Sequence, residues 1–193
     1  MYIKANIDDC ALIISDFLPQ ELFLKIANYD YKINNELASY ANWEKNLYED
    51  FKQNKTMKEV KVSSAVGFFR EGKIEADDDI FKNFIETIID CPHIPHKSDS
   101  EIHVRYYEYD KFSGINWHDD GKFTLNYSFY IHKNWNGDWG GETLIDSGRG
   151  LPLASYPEPN SILAIKNGVL HKVCPITGPE KRKVLQIRQK FYE

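Results

Sequence analysis

The second half of the chain is divided into short strand-forming runs by Gly, Asn, Asp and Pro. Runs rich in β-branched and aromatic residues that are separated by turn-forming residues are typical of antiparallel strands. Together they predict a β-sandwich or jelly roll that is covered by helices. The predicted strands lie at 101–109, 114–118, 124–132, 142–145, 161–166, 169–173 and 183–191, with a weaker one at 151–156.

The first half of the chain has helical periodicity. Residues 18–31 place Leu22, Phe23 and Ile26 on one stripe and begin with a proline, which favours a helix. We therefore expect a mainly β fold with helices (α+β), in which a β-sandwich or jelly-roll core is backed by N-terminal helices. The other predicted elements of this half are helices at 35–53 and 77–90 and strands at 11–15 and 60–69.

Length and charge narrow the class of protein. A chain of 193 residues is suited to a single domain, which we place over 1–193, with helical support and flanking strands in 1–98 and the jelly-roll core in 99–193. The net charge of −5 argues against nucleic acid as a partner. No apolar run approaches the roughly 20 residues that cross a bilayer, and the N-terminus lacks the basic start of a signal peptide. We expect a cytoplasmic protein without a membrane partner.

The segment NWHDDGKF contains His118 and Asp120, two residues apart. Alternate residues of a strand point to the same face, so this imidazole and this carboxylate can approach one point while Asp119 faces away. A second histidine, His171, lies in another predicted strand. His-x-Asp alone is weak evidence, because a single histidine is more often exposed or hydrogen-bonded than a metal ligand. Two histidines and one carboxylate are the facial set that holds iron(II) in non-haem oxygenases.

Residues 103–120, 123–145 and 159–187 carry further features in a fixed order: a Tyr, His-x-Asp, a Tyr-containing strand, Gly-Gly-Glu, Pro-Asn, a His and a basic residue on the last strand. In this order the chain resembles the 2-oxoglutarate/Fe(II)-dependent dioxygenases, and among them the prolyl 4-hydroxylase-like branch. The resemblance implies a double-stranded β-helix fold. It also implies that His118, Asp120 and His171 are the iron ligands and form the catalytic centre.

The resemblance further implies residues that bind the co-substrate. A basic residue about ten positions after the second histidine would bind the 5-carboxylate of 2-oxoglutarate, and Arg182 is favoured over Lys181 and Lys183 for this role. Arginine suits it because its planar guanidinium can donate two parallel hydrogen bonds to a carboxylate. Tyr130 matches a tyrosine that donates to the same carboxylate. Tyr109 matches another that approaches the co-substrate, although core packing is the commoner role for a lone tyrosine.

Other candidates surround these residues. Strand alternation places Asn126 on the face of Tyr130, and a polar face of this kind is suited to a pocket lining that contacts the co-substrate. Arg188 lies on the strand and face of Arg182 and could hold an acidic group of the substrate or form a salt bridge. Trp135 and Trp139 flank the Gly-Gly-Glu loop and either border the substrate entrance or cap the core.

The function that the resemblance implies is hydroxylation of an unactivated C–H bond with Fe(II), 2-oxoglutarate and O2, with ascorbate as a candidate reductant. The prolyl hydroxylase branch favours a peptidyl or free amino acid as substrate. The alternatives are an oxygenase of a small metabolite and a non-catalytic, cupin-like metal-binding module. A zinc site formed by Cys91, His93 and His96 is disfavoured, because the prolines and the missing fourth ligand favour a loop.

Overall fold

The computed structural model describes residues 1–7, 10–34, 60–97, 99–121, 123 and 125–191. Its helices are α1 (Gln20–Ala27) and α2 (Asp79–Ile89), and Gly137–Trp139 form one turn of 3-10 helix. Its strands are β1 (Tyr2–Ile7), β2 (Ala11–Ser15), β3 (Val60–Arg70), β4 (Lys73–Ala76), β5 (Glu101–Tyr109), β6 (Ile115–His118), β7 (Leu125–Tyr130), β8 (Thr143–Asp146), β9 (Pro152–Ser155), β10 (Ile162–Lys166), β11 (His171–Val173) and β12 (Arg182–Lys190).

The described strands form two antiparallel sheets that face each other. The larger sheet has eight strands in the order β1-β2-β10-β7-β12-β5-β3-β4, and the smaller has four in the order β6-β11-β8-β9. Strands β2 and β3 of the first half pair with β10 and β5 of the second half. The boundary at residue 98 therefore does not separate two sheets, and the extent of a single domain over 1–193 stays a prediction.

One apolar cluster lies between the larger sheet and the two helices. Asp78 caps the N-terminus of α2 by accepting a hydrogen bond from the backbone N–H of Ile80. The inward stripe of α2 carries Phe81, Phe84 and Ile88, which are at most 1% exposed. They pack with Phe129 and other side chains from the outer face of the larger sheet. This cluster makes the larger sheet a rigid support for whatever lies on its other face.

A second apolar cluster lies between the two sheets. Strand alternation decides which side chains reach it, because successive residues of a strand point to opposite faces. On β12, Leu185 and Ile187 belong to the first cluster, whereas Val184 belongs to the second. Several of the inward positions at one end are polar, so this end of the space between the sheets is a cavity rather than a closed core.

The predicted fold class is confirmed: the chain is mainly β, with a jelly-roll core and helices on its outer face. The predicted helix at 35–53 lies outside the described residues. The helix predicted at 18–31 ends at Ala27, and Tyr31 stacks on Tyr106 at 4.0 Å between ring centroids. None of the helices in the described ranges is long and apolar enough to span a bilayer.

Two strands, β1 and β4, were not predicted. Strand β1 is an edge strand with mostly exposed side chains, so its sequence lacks the apolar alternation of a half-buried strand. Strand β4 is joined to β3 by a two-residue turn in which Glu71 and Gly72 both have positive φ, at 50° and 75°. This is the geometry of a type I′ hairpin, which glycine at the second position favours.

Candidate metal centre and adjoining cavity

His118, Asp120 and His171 converge at the open end of the smaller sheet. His118 is the last residue of β6, and His171, the first of β11, is its direct cross-strand partner. Such partners have Cβ atoms about 4.5–5.5 Å apart, so their side chains meet. Asp120 lies just after β6, and one ligand atom from each of the three residues falls within 4.8 Å of the others. Asp119 is exposed and accepts a hydrogen bond from the backbone N–H of Gly121, so it points elsewhere, as expected.

Backbone carbonyls fix the orientation of both imidazoles. Nδ1 of His118 lies 2.7 Å from the carbonyl oxygen of Asn116, and Nδ1 of His171 lies 2.9 Å from that of Val169. A carbonyl oxygen only accepts, so each Nδ1 carries the proton and donates. In the neutral ring the lone pair then lies on Nε2, which is the atom available to a metal. Nε2 of His171 is 3.5 Å from Oδ2 of Asp120.

The protonation states also suit a cation. Burial and the adjacent His171 lower the pKa of His118, so its ring is neutral near pH 7. Burial alone would raise the pKa of Asp120, but the adjacent His171, with smaller contributions from His118 and Arg188, holds it below its ordinary value. Asp120 therefore supplies a negative charge and His118 a neutral nitrogen, which together match the donors that iron(II) takes in a facial site.

The three residues open into a cavity between the two sheets. It has about 520 Å³ of space, including space that is open to solvent. Its walls are apolar where β6, β10 and β11 contribute Ile115, Leu163, Ile165 and Val173. The polar side chains that line it are His118, Asp120 and His171, then Asn126, Ser128, Thr143, Arg182, Gln186 and Arg188, together with the hydroxyls of Tyr107 and Tyr109.

Arg182 is among the largest fully buried side chains of the described residues and lines this cavity, with 1% of its surface exposed. Its guanidinium lies between the rings of Tyr109 and Tyr130, at 5.0 and 5.1 Å from their centroids. One of its terminal nitrogens is 3.4 Å from both the Tyr130 hydroxyl and the Thr143 hydroxyl. These contacts are long for hydrogen bonds, so both hydroxyls and the guanidinium can still bind a further acceptor.

The two neighbouring lysines do not reach the cavity. Lys181 lies on the outside, where it donates to Glu108 at 2.7 Å and lies 3.0 Å from Asp110. Lys183 follows Arg182 on β12 and therefore points to the opposite face of the sheet. Of the three basic residues that competed in the sequence, only Arg182 lines the cavity.

Two observations fit a small dicarboxylate in this cavity. Among the described residues, no carboxylate forms an ion pair with Arg182, and its Nε is buried without a hydrogen-bond partner. A buried cation without an anion is costly, so a carboxylate that the described residues do not supply would fit beside Arg182. The cavity also joins Arg182 to the His118–Asp120–His171 cluster. The donor set therefore fits Fe(II), and the basic end fits the distal carboxylate of 2-oxoglutarate.

Other predicted site residues occupy different surroundings. Asn126 lines the cavity, and its Oδ1 is buried without a hydrogen-bond partner in the described parts of the chain. Arg188 lines the cavity mouth above the ring of Phe123. Trp135 donates to the carbonyl of Gly140 and packs against Trp139, and neither indole is among the cavity-lining side chains. The substrate roles of Arg188 and of the two tryptophans stay predictions.

The sequence analysis missed several lining residues. Gln186 lies between Arg182 and Arg188 at even spacing on β12, so strand alternation could have identified it. Thr143 begins β8 directly after the Gly-Gly-Glu segment, and its hydroxyl gave no recognisable signal. Arg105 does not line this cavity, but it projects from the same face of β5 as Tyr107 and Tyr109, and this alternation was also available in the sequence.

Comparison with solved structures shows the same fold. The chain superposes on a Pseudomonas putida prolyl-4-hydroxylase with a TM-score of 0.58 at 16% identity, over 97% of this chain and 98% of the other. It superposes on an oxidoreductase of the 2OG-Fe(II) oxygenase family from Burkholderia pseudomallei with a TM-score of 0.66 at 10% identity, over 98% and 93%. The 2OG complex of a viral collagen prolyl hydroxylase from Paramecium Bursaria Chlorella virus-1 gives 0.58 at 15% identity, over 97% and 100%.

The sequence itself matches a family model. No curated protein sequence matches the chain. Residues 102–187, which run from β5 to β12 and include the three converging side chains and Arg182, match the model of the 2OG-Fe(II) oxygenase superfamily. Residues 102–187 therefore carry the sequence pattern of the 2OG-Fe(II) oxygenase superfamily, and the solved structures of that superfamily share the fold of the whole described chain.

Proposed function

We propose that the chain is a 2-oxoglutarate-dependent dioxygenase that hydroxylates an unactivated C–H bond of a peptidyl or free amino acid, in the manner of the prolyl 4-hydroxylases. The observation that carries the proposal is the single cavity that joins the His118–Asp120–His171 cluster to the buried guanidinium of Arg182. When bound there, Fe(II) and 2-oxoglutarate supply the oxidative decarboxylation that activates O2 and yields succinate, CO2 and the hydroxylated product.

In this proposal His118, Asp120 and His171 hold Fe(II) on one side and leave its other positions to the reactants. The hydrogen bonds from Nδ1 of both histidines to backbone carbonyls keep each Nε2 lone pair directed inwards. Related enzymes that catalyse halogenation lack the carboxylate ligand. Because Asp120 is present at that position, transfer of oxygen is favoured over transfer of a halogen.

Arg182 binds the distal carboxylate of 2-oxoglutarate, with the hydroxyls of Tyr130 and Thr143 beside it. Burial raises the pKa of Tyr109, so its phenol stays protonated and can donate. Asn126 offers an amide whose Oδ1 has no partner in the described chain. The apolar side chains in the cavity wall lower the local dielectric constant, which strengthens the polar contacts beside them.

The proposed substrate class rests only on the similarity of this fold to that of solved prolyl hydroxylases. Two of the solved structures with this fold are named as prolyl hydroxylases, one from Pseudomonas putida and one from a chlorella virus. Fold likeness transfers the reaction type better than the substrate. The peptidyl or free amino acid is therefore proposed with a small metabolite as the competing choice. Ascorbate as reductant and a cytoplasmic location stay predictions of the sequence.

The reaction is tested by measuring succinate from 2-oxoglutarate with the purified protein, Fe(II) and O2. We expect succinate from the wild type and none above background from Asp120→Ala, because that variant loses the only acidic ligand. Asp119→Asn is the matched control, since Asp119 is exposed and points away from the cluster. An iron-loaded wild type that makes no succinate would contradict the proposal and favour a metal-binding module.

The substrate is tested by screening proline-containing peptides, free amino acids and small metabolites for stimulated release of CO2 from 2-oxoglutarate. Stimulation by a peptide or amino acid, together with a mass gain of one oxygen atom in that compound, supports the proposal. Stimulation confined to metabolites outside these classes contradicts it. Running the same screen with and without ascorbate tests whether the reductant sustains turnover.

A further inference from the structure

A second cavity continues from the first along the same face of the larger sheet. It has about 510 Å³ of space, including space open to solvent. Because the two cavities share lining residues, a molecule bound in the second one would adjoin the metal centre. The side chains that line it are His103, Arg105, Tyr107, Phe123, Gln186 and Arg188, of which Tyr107, Gln186 and Arg188 also line the first.

Two arginines lie side by side in this second cavity. In the β5–β12 pairing, Arg105 is opposite Gln186 and Arg188 is opposite His103. Arg105 and Arg188 are thus diagonal neighbours, whose side chains start about 7–8 Å apart. Both are partly buried and project towards the same space. Two long guanidinium side chains at this separation can grip one group between them.

Neither arginine is satisfied by the described residues. The Nε atoms of Arg105 and Arg188 are both buried and have no hydrogen-bond partner there. No acidic side chain in the described ranges forms an ion pair with either, and the closest specific contact of Arg188 is the ring of Phe123 at 5.1 Å. Further along the same face, by contrast, Arg70 is hydrogen-bonded to Glu101. Burying an N–H donor without an acceptor costs about 1–3 kcal/mol, so this pair lacks an oxygen acceptor.

The co-substrate does not account for this pair if it binds as proposed above. Its distal carboxylate is matched by Arg182 and its other end by the metal, so both of its negative charges are compensated. The charges of Arg105 and Arg188 then remain in a cavity that adjoins the first one and is partly open to solvent. A substrate with a negative charge would supply both the missing charge and the missing acceptor.

We propose that Arg105 and Arg188 form a subsite for a carboxylate of the substrate, and that the substrate is an acid whose carboxylate lies close to the C–H bond that is hydroxylated. This inference rests on the proposed function. The same chemistry is offered by the α-carboxylate of a free amino acid and by the side-chain carboxylate of a peptide residue, and the test below separates these two sources.

The test is calorimetric binding to the anaerobic Fe(II)- and 2-oxoglutarate-loaded protein, which requires no turnover. Two matched pairs of probes differ only in charge: L-proline with L-prolinamide, and N-acetyl-L-glutamate α-amide with N-acetyl-L-glutamine amide. We expect the acid to bind about tenfold or more tightly than the amide in one of the pairs. The first pair reports a free α-carboxylate and the second a side-chain carboxylate. The preference should weaken as ionic strength rises.

Variants assign the preference to the two arginines. Arg105→Gln and Arg188→Gln should each reduce the acid-over-amide ratio, and the double variant should abolish it, whereas Arg188→Lys should retain part of it. Lys190→Gln is the matched control, because Lys190 lies on the same strand beyond the cavity and is exposed. Thermal unfolding and the visible band of the Fe(II)–2-oxoglutarate complex verify that each variant is folded and loaded.

The possible outcomes are separable. Equal binding of acid and amide by the wild type in both pairs overturns the subsite, whatever the variants do, and so does a preference that survives in the double variant. A large loss of 2-oxoglutarate affinity in the double variant, with the band lost, also overturns it by assigning the arginines to the co-substrate. Failure of the proposed function is a different result, in which the iron-loaded wild type neither binds 2-oxoglutarate nor makes succinate.

Discussion

At the scale of single residues, Arg182 is the side chain whose burial most needs a functional reason. It is 1% exposed, its nearest oxygen contacts are two hydroxyls at 3.4 Å, and no described carboxylate pairs with it. Packing against Tyr109 and Tyr130 offsets part of the desolvation cost. A fully buried cation held in this way is suited to binding an anion and poorly suited to stabilising the ligand-free fold.

Replacing this cation with an apolar side chain of similar length should therefore stabilise the ligand-free protein. We expect Arg182→Met to raise the free energy of unfolding by about 1–3 kcal/mol, while 2-oxoglutarate binding is lost and Mn(II) binding is kept. Urea unfolding and a 2-oxoglutarate titration measure the two effects. Arg182→Lys, which keeps the charge, should show no gain in stability. A large loss of stability in Arg182→Met would indicate that the guanidinium holds the fold together.

His132 is a second residue whose burial has a measurable consequence. Burial lowers the pKa of His132 from 6.5 to about 4, although its Nε2 donates to the carbonyl of Pro157 at 2.6 Å. The unfolded chain therefore binds a proton that the folded protein does not take up until about pH 4. The neutral His132 thereby contributes about 3 kcal/mol to the free energy of unfolding. This stabilisation is complete above pH 6.5 and is lost as the pH falls towards 4.

Urea unfolding from pH 7.5 to pH 4.5 tests this dependence. His132→Gln keeps an N–H donor for Pro157 but removes the titrating group. The variant should lose stability less steeply than the wild type over this interval, by about 1 kcal/mol per pH unit below pH 6. Parallel curves for the two proteins would show that folding does not lower the pKa of His132.

At the scale of helices and strands, the local sequence pattern predicted most of the described elements. It did not predict which strands pair with each other. Strands β2 and β5 have their predicted bounds, because each is an apolar or alternating run with turn residues at its ends. The pairing of β2 with β10 joins segments far apart in sequence, and nothing local to either one encodes it. Strand β1 was missed because its one neighbour, β2, leaves it a mostly exposed edge.

The same limit applied to the candidate site. His118 and His171 were recognised as a ligand pair through the resemblance, but their direct cross-strand pairing depends on the register of β6 and β11. The resemblance already favoured Arg182 over Lys181, but the position of Lys181 outside the cavity needed the fold, since its acidic partners, Glu108 and Asp110, come from the end of β5 and the following residue. Residue types indicated the chemistry, and the sheet register determined which of them meet.

The loop between β7 and β8 contains a glycine that the fold requires. Gly140 has φ 71° and ψ −151°, a conformation restricted to glycine, and an added Cβ would lie 2.3 Å from the carbonyl oxygen of Pro175. The backbone N–H groups of Thr177 and Gly178 donate to the carbonyl of Trp139, so this loop is docked on the segment that precedes β12. Its position bears on Arg182, because the ideal Cβ of Gly141 would be 3.5 Å from the Arg182 Cδ.

Gly140→Ala should therefore reduce the free energy of unfolding by about 3 kcal/mol or more, as both backbone strain and a backbone clash are introduced. Gly148→Ala is the matched control: its φ is 72°, but nothing lies within 4 Å of the added Cβ. Because only backbone strain is introduced there, the free energy of unfolding of that variant should fall by about 1–2 kcal/mol. Thermal and urea unfolding of the two variants make the comparison. Equal losses of unfolding free energy in the two variants would mean that the backbone around Pro175 shifts to accommodate the added Cβ at no energetic cost.

At the scale of the whole molecule, the site lies between two sheets that supply different parts of it. The two candidate histidine ligands belong to the smaller sheet and Asp120 lies two residues after β6, whereas Arg182, Tyr130 and Asn126 project from the larger sheet. The larger sheet is supported by the helices and the apolar cluster behind it. A ligand that binds both the metal and Arg182 would therefore link the two sheets across the cavity.

Metal and 2-oxoglutarate should consequently stabilise the fold cooperatively. A ligand that binds only the native state adds RT ln(1 + [L]/Kd) to its stability, about 2.7 kcal/mol at a hundredfold excess over Kd. With Mn(II) as a redox-stable substitute for Fe(II), we expect the melting temperature of wild type to rise modestly with Mn(II), little with 2-oxoglutarate alone, and by more than the sum with both. EDTA should reverse the rise.

Arg182→Met should keep the Mn(II) increment and lose the cooperative one, whereas Asp120→Ala should lose both. Additive shifts in the wild type would mean that the two ligands bind independently, which a co-substrate shared between the metal and Arg182 does not allow.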